Sequence, residues 1–398
     1  MITFERNKET FLLISAFIMP LIFAVWMVLL NNFVVEKANF TGKEIGFLQS
    51  IREIPGFLAF TVIYLLLFIK EQKLAILSLL ITSVGVAATG MFPTEFGLYL
   101  TTLVMSIGFH YFETVNQSLT LQWIDKSKTA HFMGRLLSVR SVASLLAYSA
   151  IWWMMSVGDW QFKDVYLFWG IVAAILTITL FFAFPQFEEP HEQKKSLILR
   201  KRYWLFYALT FFSGARRQIF VVFAGFLMVQ KFGYSVADIS ALFIINYVFN
   251  WMFAGKIGKW IGRVGEKAAL RFEYIGLIIL FIAYGLVEDA NIAAALYVID
   301  HLLFSLAIAI KTYFQKIADK KDIASTAGVS FTINHIAAVV IPTILGFVWL
   351  VSPSLVFYVG AGFAACSLVL ALLIPVKPEA GNETNLALIS FLIPSKQK

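Results

Sequence analysis

The chain has 398 residues, 60% of them hydrophobic and 14% charged, with a formal net charge of +8. A mean hydropathy of +0.79 lies far outside the range of soluble globular domains and leaves no room for a soluble catalytic domain. The basic excess suggests nucleic acid only until its placement is read: Lys and Arg fall on alternate loops, the pattern of a membrane protein's topology, so no nucleic-acid partner is expected.

Roughly 20 apolar residues cross the hydrocarbon core as a helix, and about twelve such runs follow one another here. The first, Phe11 to Val34, lacks the short apolar region and small-residue cleavage site of a secretory signal and is expected to be retained. The second, Ile45 to Ile69, carries Arg52, Glu53 and Pro55, and the third runs from Leu74 to Phe92. In the fourth, Phe96 to Ile124, Ser106, His110, Glu113 and Gln117 recur at helical spacing as a polar stripe, which predicts a helix facing the central pathway. The fifth, Arg135 to Val157, contains Arg140, and the sixth is Val165 to Phe184. A polar stretch from Pro185 to Arg202, with Pro185, Pro190 and a basic cluster, reads as a cytoplasmic connector.

The seventh span, Tyr203 to Phe232, holds Arg216 and Arg217 side by side, and the eighth, Ile239 to Ile257, holds Asn246 and Asn250. The ninth is Ala268 to Val287, and the tenth, Ile292 to Phe314, carries Asp300 and His301. The eleventh, Gly328 to Leu350, carries Asn334 and His335, and the twelfth is Leu355 to Ile374. The predicted organisation is a six-helix bundle over 1–184, a linker over 185–202, a second six-helix bundle over 203–376 and a cytoplasmic tail over 377–398.

Charges at membrane depth mark sites. Insertion scales put one arginine at a spanning helix's centre at about +2.5 to +3.5 kcal/mol, so each needs water, a partner or a ligand. Adjacent helical residues diverge by roughly 100°, so Arg216 and Arg217 cannot point the same way. Arg217 shares a small polar stripe with Thr210, Ser213 and Gly214 and is the first expectation for a solute contact. Arg216 is expected to brace a neighbouring helix through a carboxylate such as Glu113, Asp300 or Glu53. Arg52, Asn246, Asn250, Asn334 and His335 complete the candidate solute-binding set. Glu113, beside His110, is the leading candidate to gain and lose a proton, with Asp300, His301 and Glu53 as further members; a fixed Glu113–arginine bridge is the structural alternative.

His110, His301 and His335 lie on separate helices without a ligand pair four residues apart, so no metal is expected. No cofactor is expected either. Cys366 stands alone, which excludes an intramolecular disulfide. No nucleotide-binding Gly-rich signature occurs, and no nucleophile with its base is apparent, so an enzyme is not expected.

Arg6, Lys8, Lys70, Lys73, Lys126, Lys128, the Lys194 to Arg202 cluster, Lys256, Lys259, Arg263, Lys267, Lys316, Lys320 and Lys321 fall on one set of loops. Lys37, Lys43, Lys163 and Lys231 fall on the other, which places both termini in the cytoplasm. A weak internal repeat at an offset of about 194 residues matches Thr41-Gly-Lys-Glu44-Ile45-Gly-Phe-Leu48 to Ser235-Val-Ala-Asp238-Ile239-Ser-Ala-Leu242. Gln122 to Lys126 likewise echoes Gln315 to Lys320.

In its spans, inside termini, central loop and half-chain repeat, the sequence resembles the major facilitator superfamily. Gly255, Gly258, Lys259, Gly262 and Arg263 after the eighth span are similar to the family's loop signature, G-x-x-x-D-R/K-x-G-R/K-R/K, although Lys259 stands where it has an acid. The loop after the second span lacks the signature, and the fifth span lacks the Gly-Pro element of many drug/proton antiporters. The resemblance implies an all-α polytopic fold of two six-helix bundles and a monomeric secondary transporter in the plasma membrane, the inner membrane in a bacterium. Among the deep groups, Arg52, Arg140, Arg216 and Arg217 outnumber Glu53, Glu113 and Asp300. A positive lean suits a small organic anion or zwitterion, bound through forked guanidinium hydrogen bonds and moved with protons. Export of drugs or amphiphiles is the alternative within transport. A receptor or assembly protein that does not transport is the alternative of another class.

Overall fold

The computed structural model describes residues 5–124, 129–187, 199–319 and 323–385. Lys126, Lys128, Lys194, Lys195, Lys320 and Lys321 of the basic loops lie outside the described residues, as does the side chain of Asn250. The described chain is helical apart from one isolated bridge between Glu379 and Asn382.

The passes are α1 (Lys8–Ala38), α2 (Gly42–Phe57), α3 (Glu71–Thr89), α4 (Glu95–Trp123), α5 (Thr129–Ser156) and α6 (Phe162–Ala183). They continue with α7 (Lys201–Gln230), α8 (Val236–Val264), α9 (Glu266–Leu286), α10 (Ala290–Ile317), α11 (Ile323–Val351) and α12 (Pro353–Leu372). Among the described residues, nine helices are long and apolar enough to cross a membrane by length and composition alone. Of the other three passes, α2 has 16 residues, and α8 contributes a shorter apolar helix over Val236–Phe249.

Local chemistry fixes where several passes begin. Asn7 caps α1 by accepting from the Thr10 N–H at 2.8 Å, and Thr94 caps α4 by accepting from Gly97 at 3.1 Å. The half-chain repeat has the same physical basis at both of its copies. Thr41 and Glu44 form a reciprocal capping box on α2, with the Thr41 N–H donating to Glu44 at 2.9 Å. At the start of α8 the Ser235 N–H donates to Asp238 at 2.9 Å and the Asp238 N–H donates to the Ser235 hydroxyl at 3.2 Å.

The second pass departs from the single span expected over Ile45 to Ile69. Its α-helix stops at Phe57 and is followed by a 3-10 turn, Ala59–Thr61, and a short turn, Val62–Leu65. Pro55 supplies no N–H to the helical ladder, and Gly56 beside it favours helix poorly, so the α-helix ends within two residues. In the seventh pass the α-helix changes after Gln218 to a π-helix over Ile219–Ala224, before resuming at Gly225.

The chain packs as two compact units, Met1–Gln193 with Val229–Tyr247, and Lys194–Met228 with Val248–Lys398. In the first, α3 lies chiefly against α4 and α6, and α1 against α5. Gly85 makes the α3 and α4 backbones approach closely, since a Cβ there would sit 2.6 Å from the Met105 Cα. In the second, α9 lies against α12 and α7 against α11. Gly214 plays the same part here: a Cβ would overlap Oδ1 of Asn334 and lie 3.2 Å from its carbonyl oxygen.

Candidate functional site

Two sets of charged side chains lie inside the spans, one in each unit. In the first unit, the guanidinium of Arg52 pairs with the carboxylate of the adjacent Glu53, and both are buried. Arg52 also lies 5.9 Å from the ring centroid of Trp26 and 3.5 Å from the Met27 sulfur, both on α1. The Ser106 hydroxyl of α4 donates to the Arg52 carbonyl, and the same hydroxyl is 3.0 Å from Nδ1 of buried His110. One helical turn along α4, Glu113 accepts from Arg140 of α5 at 2.9 Å, with 28% and 29% of their side chains exposed. Glu113 is therefore held by Arg140, and not by Arg216 as one of the sequence-based expectations had it. Asn246 is buried in this unit with no hydrogen-bond partner for its Oδ1 among the described residues.

The second unit is organised differently. Arg216, 2% exposed, donates through Nη1 to Glu273 of α9 at 3.3 Å, and Glu273 is fully buried. Its Nε donates to the Phe212 carbonyl one turn back at 3.2 Å, and its guanidinium lies 4.5 Å from the ring centroid of Tyr274. Asp300 of α10, 2% exposed, is within electrostatic reach of both Arg216 and Glu273. One buried carboxylate thus pairs directly with the guanidinium, and a second stands in its electrostatic surroundings. Arg217, the next residue, is exposed, with Thr210 and Ser213 half-buried on the same stripe. The divergence between neighbours follows from helical geometry, and burial divides the pair into one sealed and one accessible arginine.

The direct partner of Arg216 corrects the sequence-based expectation, which named Glu113, Asp300 or Glu53. Glu273 escaped because it stands seven residues into α9, nearer a helix end than a span-centred search looks. A signal was nevertheless present. Leu270, Glu273, Tyr274, Leu277, Leu280, Phe281 and Tyr284 are all buried and recur at spacings of three and four residues, so the acid falls on the helix's inward stripe.

The remaining candidates in this unit make other contacts. His335 of α11 is buried, its Nδ1 2.8 Å from the Phe331 carbonyl and its ring 4.1 Å from that of Phe331. Asn334 is taken up by the crossing at Gly214, and His301 lies with its ring centroid 6.3 Å from that of Phe220. Asn250 is outside the described side chains.

Comparison with known proteins places this geometry in a family. The family model described as Major Facilitator Superfamily matches residues 12–342. An uncharacterised MFS-type transporter of Methanocaldococcus jannaschii is 24% identical over 230 residues, covering 54% of this chain and 56% of that protein. The chain thus matches little more than half the length of that curated relative. Among solved structures, the nucleoside transporter NupG superposes with a TM-score of 0.75 at 15% identity, over 92% of this chain and 98% of that one. A bacterial homologue of the human lysosomal transporter Spinster, inward-facing and occupied, gives 0.72 at 13% identity over 94% and 97% of the two chains. A POT-family transporter in complex with 5-aminolevulinic acid gives 0.71 at 12% identity over 94% and 96%. These likenesses establish the fold, and the family model establishes descent. A multi-pass, all-α membrane protein with this fold and these relatives belongs to the major facilitator superfamily, whose members carry small solutes across the bilayer and are not enzymes.

Proposed function

We propose that this chain moves a small organic anion or zwitterion by alternating access, with proton movement as the energy source. The observation that carries the reading is Arg217, an exposed guanidinium midway along an apolar helix, beside an arginine already committed to carboxylates. A guanidinium along an apolar helix is costly to desolvate, and a carboxylate or phosphate on the solute would offset part of that cost through two parallel hydrogen bonds. The structural neighbours do not choose the solute. One is a nucleoside transporter and another was solved with 5-aminolevulinic acid, and a shared fold does not transfer a substrate.

The test is solute uptake by purified protein in liposomes, with a thermal-shift screen of carboxylates, phosphates and amino acids. Arg217→Lys keeps the charge and loses the fork, and Arg217→Ala loses both. A charge-assisted hydrogen bond contributes about 1.5–3 kcal/mol, so the alanine variant is expected to weaken binding by roughly ten-fold or more. Unchanged affinity in both variants removes Arg217 from the site. Binding of a lipophilic cation that survives Arg217→Ala moves the reading to drug export, and uptake indifferent to a pH gradient removes proton coupling.

A further inference from the structure

Counting charge in the second unit gives an odd result. Glu273 and Asp300 bring two carboxylates to a region where Arg216 is the one buried guanidinium among the described residues. Oε2 of Glu273, Oδ2 of Asp300 and the hydroxyl of buried Tyr284, itself within electrostatic reach of Asp300, have no hydrogen-bond partner among those residues. An uncompensated carboxylate at so buried a place carries a penalty of several kcal/mol even after relaxation, on the order of that for any buried ion.

Among the described residues the surroundings supply no second buried cation. From α7 comes Arg216; from α9, Glu273, Tyr274 and Tyr284; from α10, Tyr297, Asp300 and His301. The described parts of α11 and α12, packed on α7 and α9, add His335, engaged with Phe331, together with exposed Tyr358 and Cys366. Arg217, Arg271 and Lys311 are exposed, Lys267 donates to the Leu372 carbonyl at 2.8 Å, and Lys316 is paired with Glu266 at 2.7 Å. A proton removes the surplus charge without the cage of several oxygens that a hard metal cation demands.

We propose that Glu273 and Asp300 hold one proton between them beside Arg216, making a buried proton site in the second unit. Its use in transport rests on the proton-coupled reading above; its existence does not. In the protonated state the set is neutral, with Arg216 facing one carboxylate and one carboxylic acid. When the proton leaves, two carboxylates compete for Arg216, which favours a rearrangement of α7 against α9 and α10. Glu113 differs in kind: Arg140 neutralises it one to one.

The test is infrared difference spectroscopy of the purified full-length protein at neutral pH, in sodium chloride and in choline chloride. Wild type is expected to show a protonated-carboxyl stretch in both salts. That band should vanish in Glu273→Gln and equally in Asp300→Asn, because each leaves a single carboxylate for Arg216. The proposal is overturned if wild type shows no such band, if the band survives in either neutral variant, or if it appears only when sodium is withheld. Should the neutral variants fail to fold, Glu273→Asp and Asp300→Glu must displace the band, and a band that neither moves overturns the assignment. Gradient-driven uptake by wild-type protein is measured alongside. Uptake without the band removes the site and leaves coupling standing, whereas the band without such uptake upholds the site and removes its role.

Discussion

The two units handle buried charge in opposite ways. In the first, each deep arginine has its own acid: Arg52 with Glu53, and Arg140 with Glu113. The second gives Arg216 two acids and leaves Arg217 exposed. One-to-one pairs are neutral in a single protonation state and brace helices; an uneven set is neutral only with something added. Under the proposal above, the difference separates paired braces from a set that changes its protonation state, although both units draw on the same residue types.

The largest effect that sharpens this contrast is expected at Arg216. Arg216→Ala leaves Glu273 and Asp300 without a cation, and removing one partner of a buried pair costs about 3–5 kcal/mol. Thermal unfolding in detergent should show the loss, and its partial recovery in the Arg216→Ala, Glu273→Gln double variant would assign it to the stranded acid. A middle-sized effect is expected at the helix crossings. Gly214→Val overfills the approach to Asn334 and should cost about 1–3 kcal/mol. Gly85→Val should cost a comparable amount at Met105. Only the first should also disturb the Arg216 set, which lies half a turn along the same helix. The smallest effect is expected at Arg140. Its pair with Glu113 is more than a quarter exposed, so Arg140→Ala should change stability by no more than about 1 kcal/mol. A loss at Arg140 as large as that at Arg216 would erase the distinction between the units.

Much of this was legible in the sequence because the bilayer imposes strong rules. Spans announce themselves by length and apolarity, and the repeat at Thr41 and Ser235 marks two helix caps with the same chemistry. The opposite fates of Arg216 and Arg217 follow from the 100° step between neighbours. What stayed hidden depends on tertiary packing. Nothing local tells Arg216 to choose Glu273, 57 residues away, over Asp300. The break after Phe57 was a matter of backbone satisfaction that a hydropathy window averages over, although Pro55 and Gly56 stood in plain view. Glu273 was missed through an assumption about depth, since centring each span on the midplane discounts an acid seven residues from a helix end.

The π-helical stretch at Ile219–Ala224 carries a consequence for the register of the seventh pass. Its hydrogen bonds skip one residue further than those of an α-helix, so the chain there accommodates a surplus residue per bulge. The faces before and after it are thereby dephased: Trp204–Gln218 aims Arg216 at α9, while Gly225–Gln230 buries Phe226 and Met228 on a separately set azimuth. Deleting one residue within 219–224 would let the stretch relax to ordinary α-helix with both faces still in place. The same deletion between Trp204 and Gly214 would instead turn the upstream face by roughly 100° relative to the arginine pair.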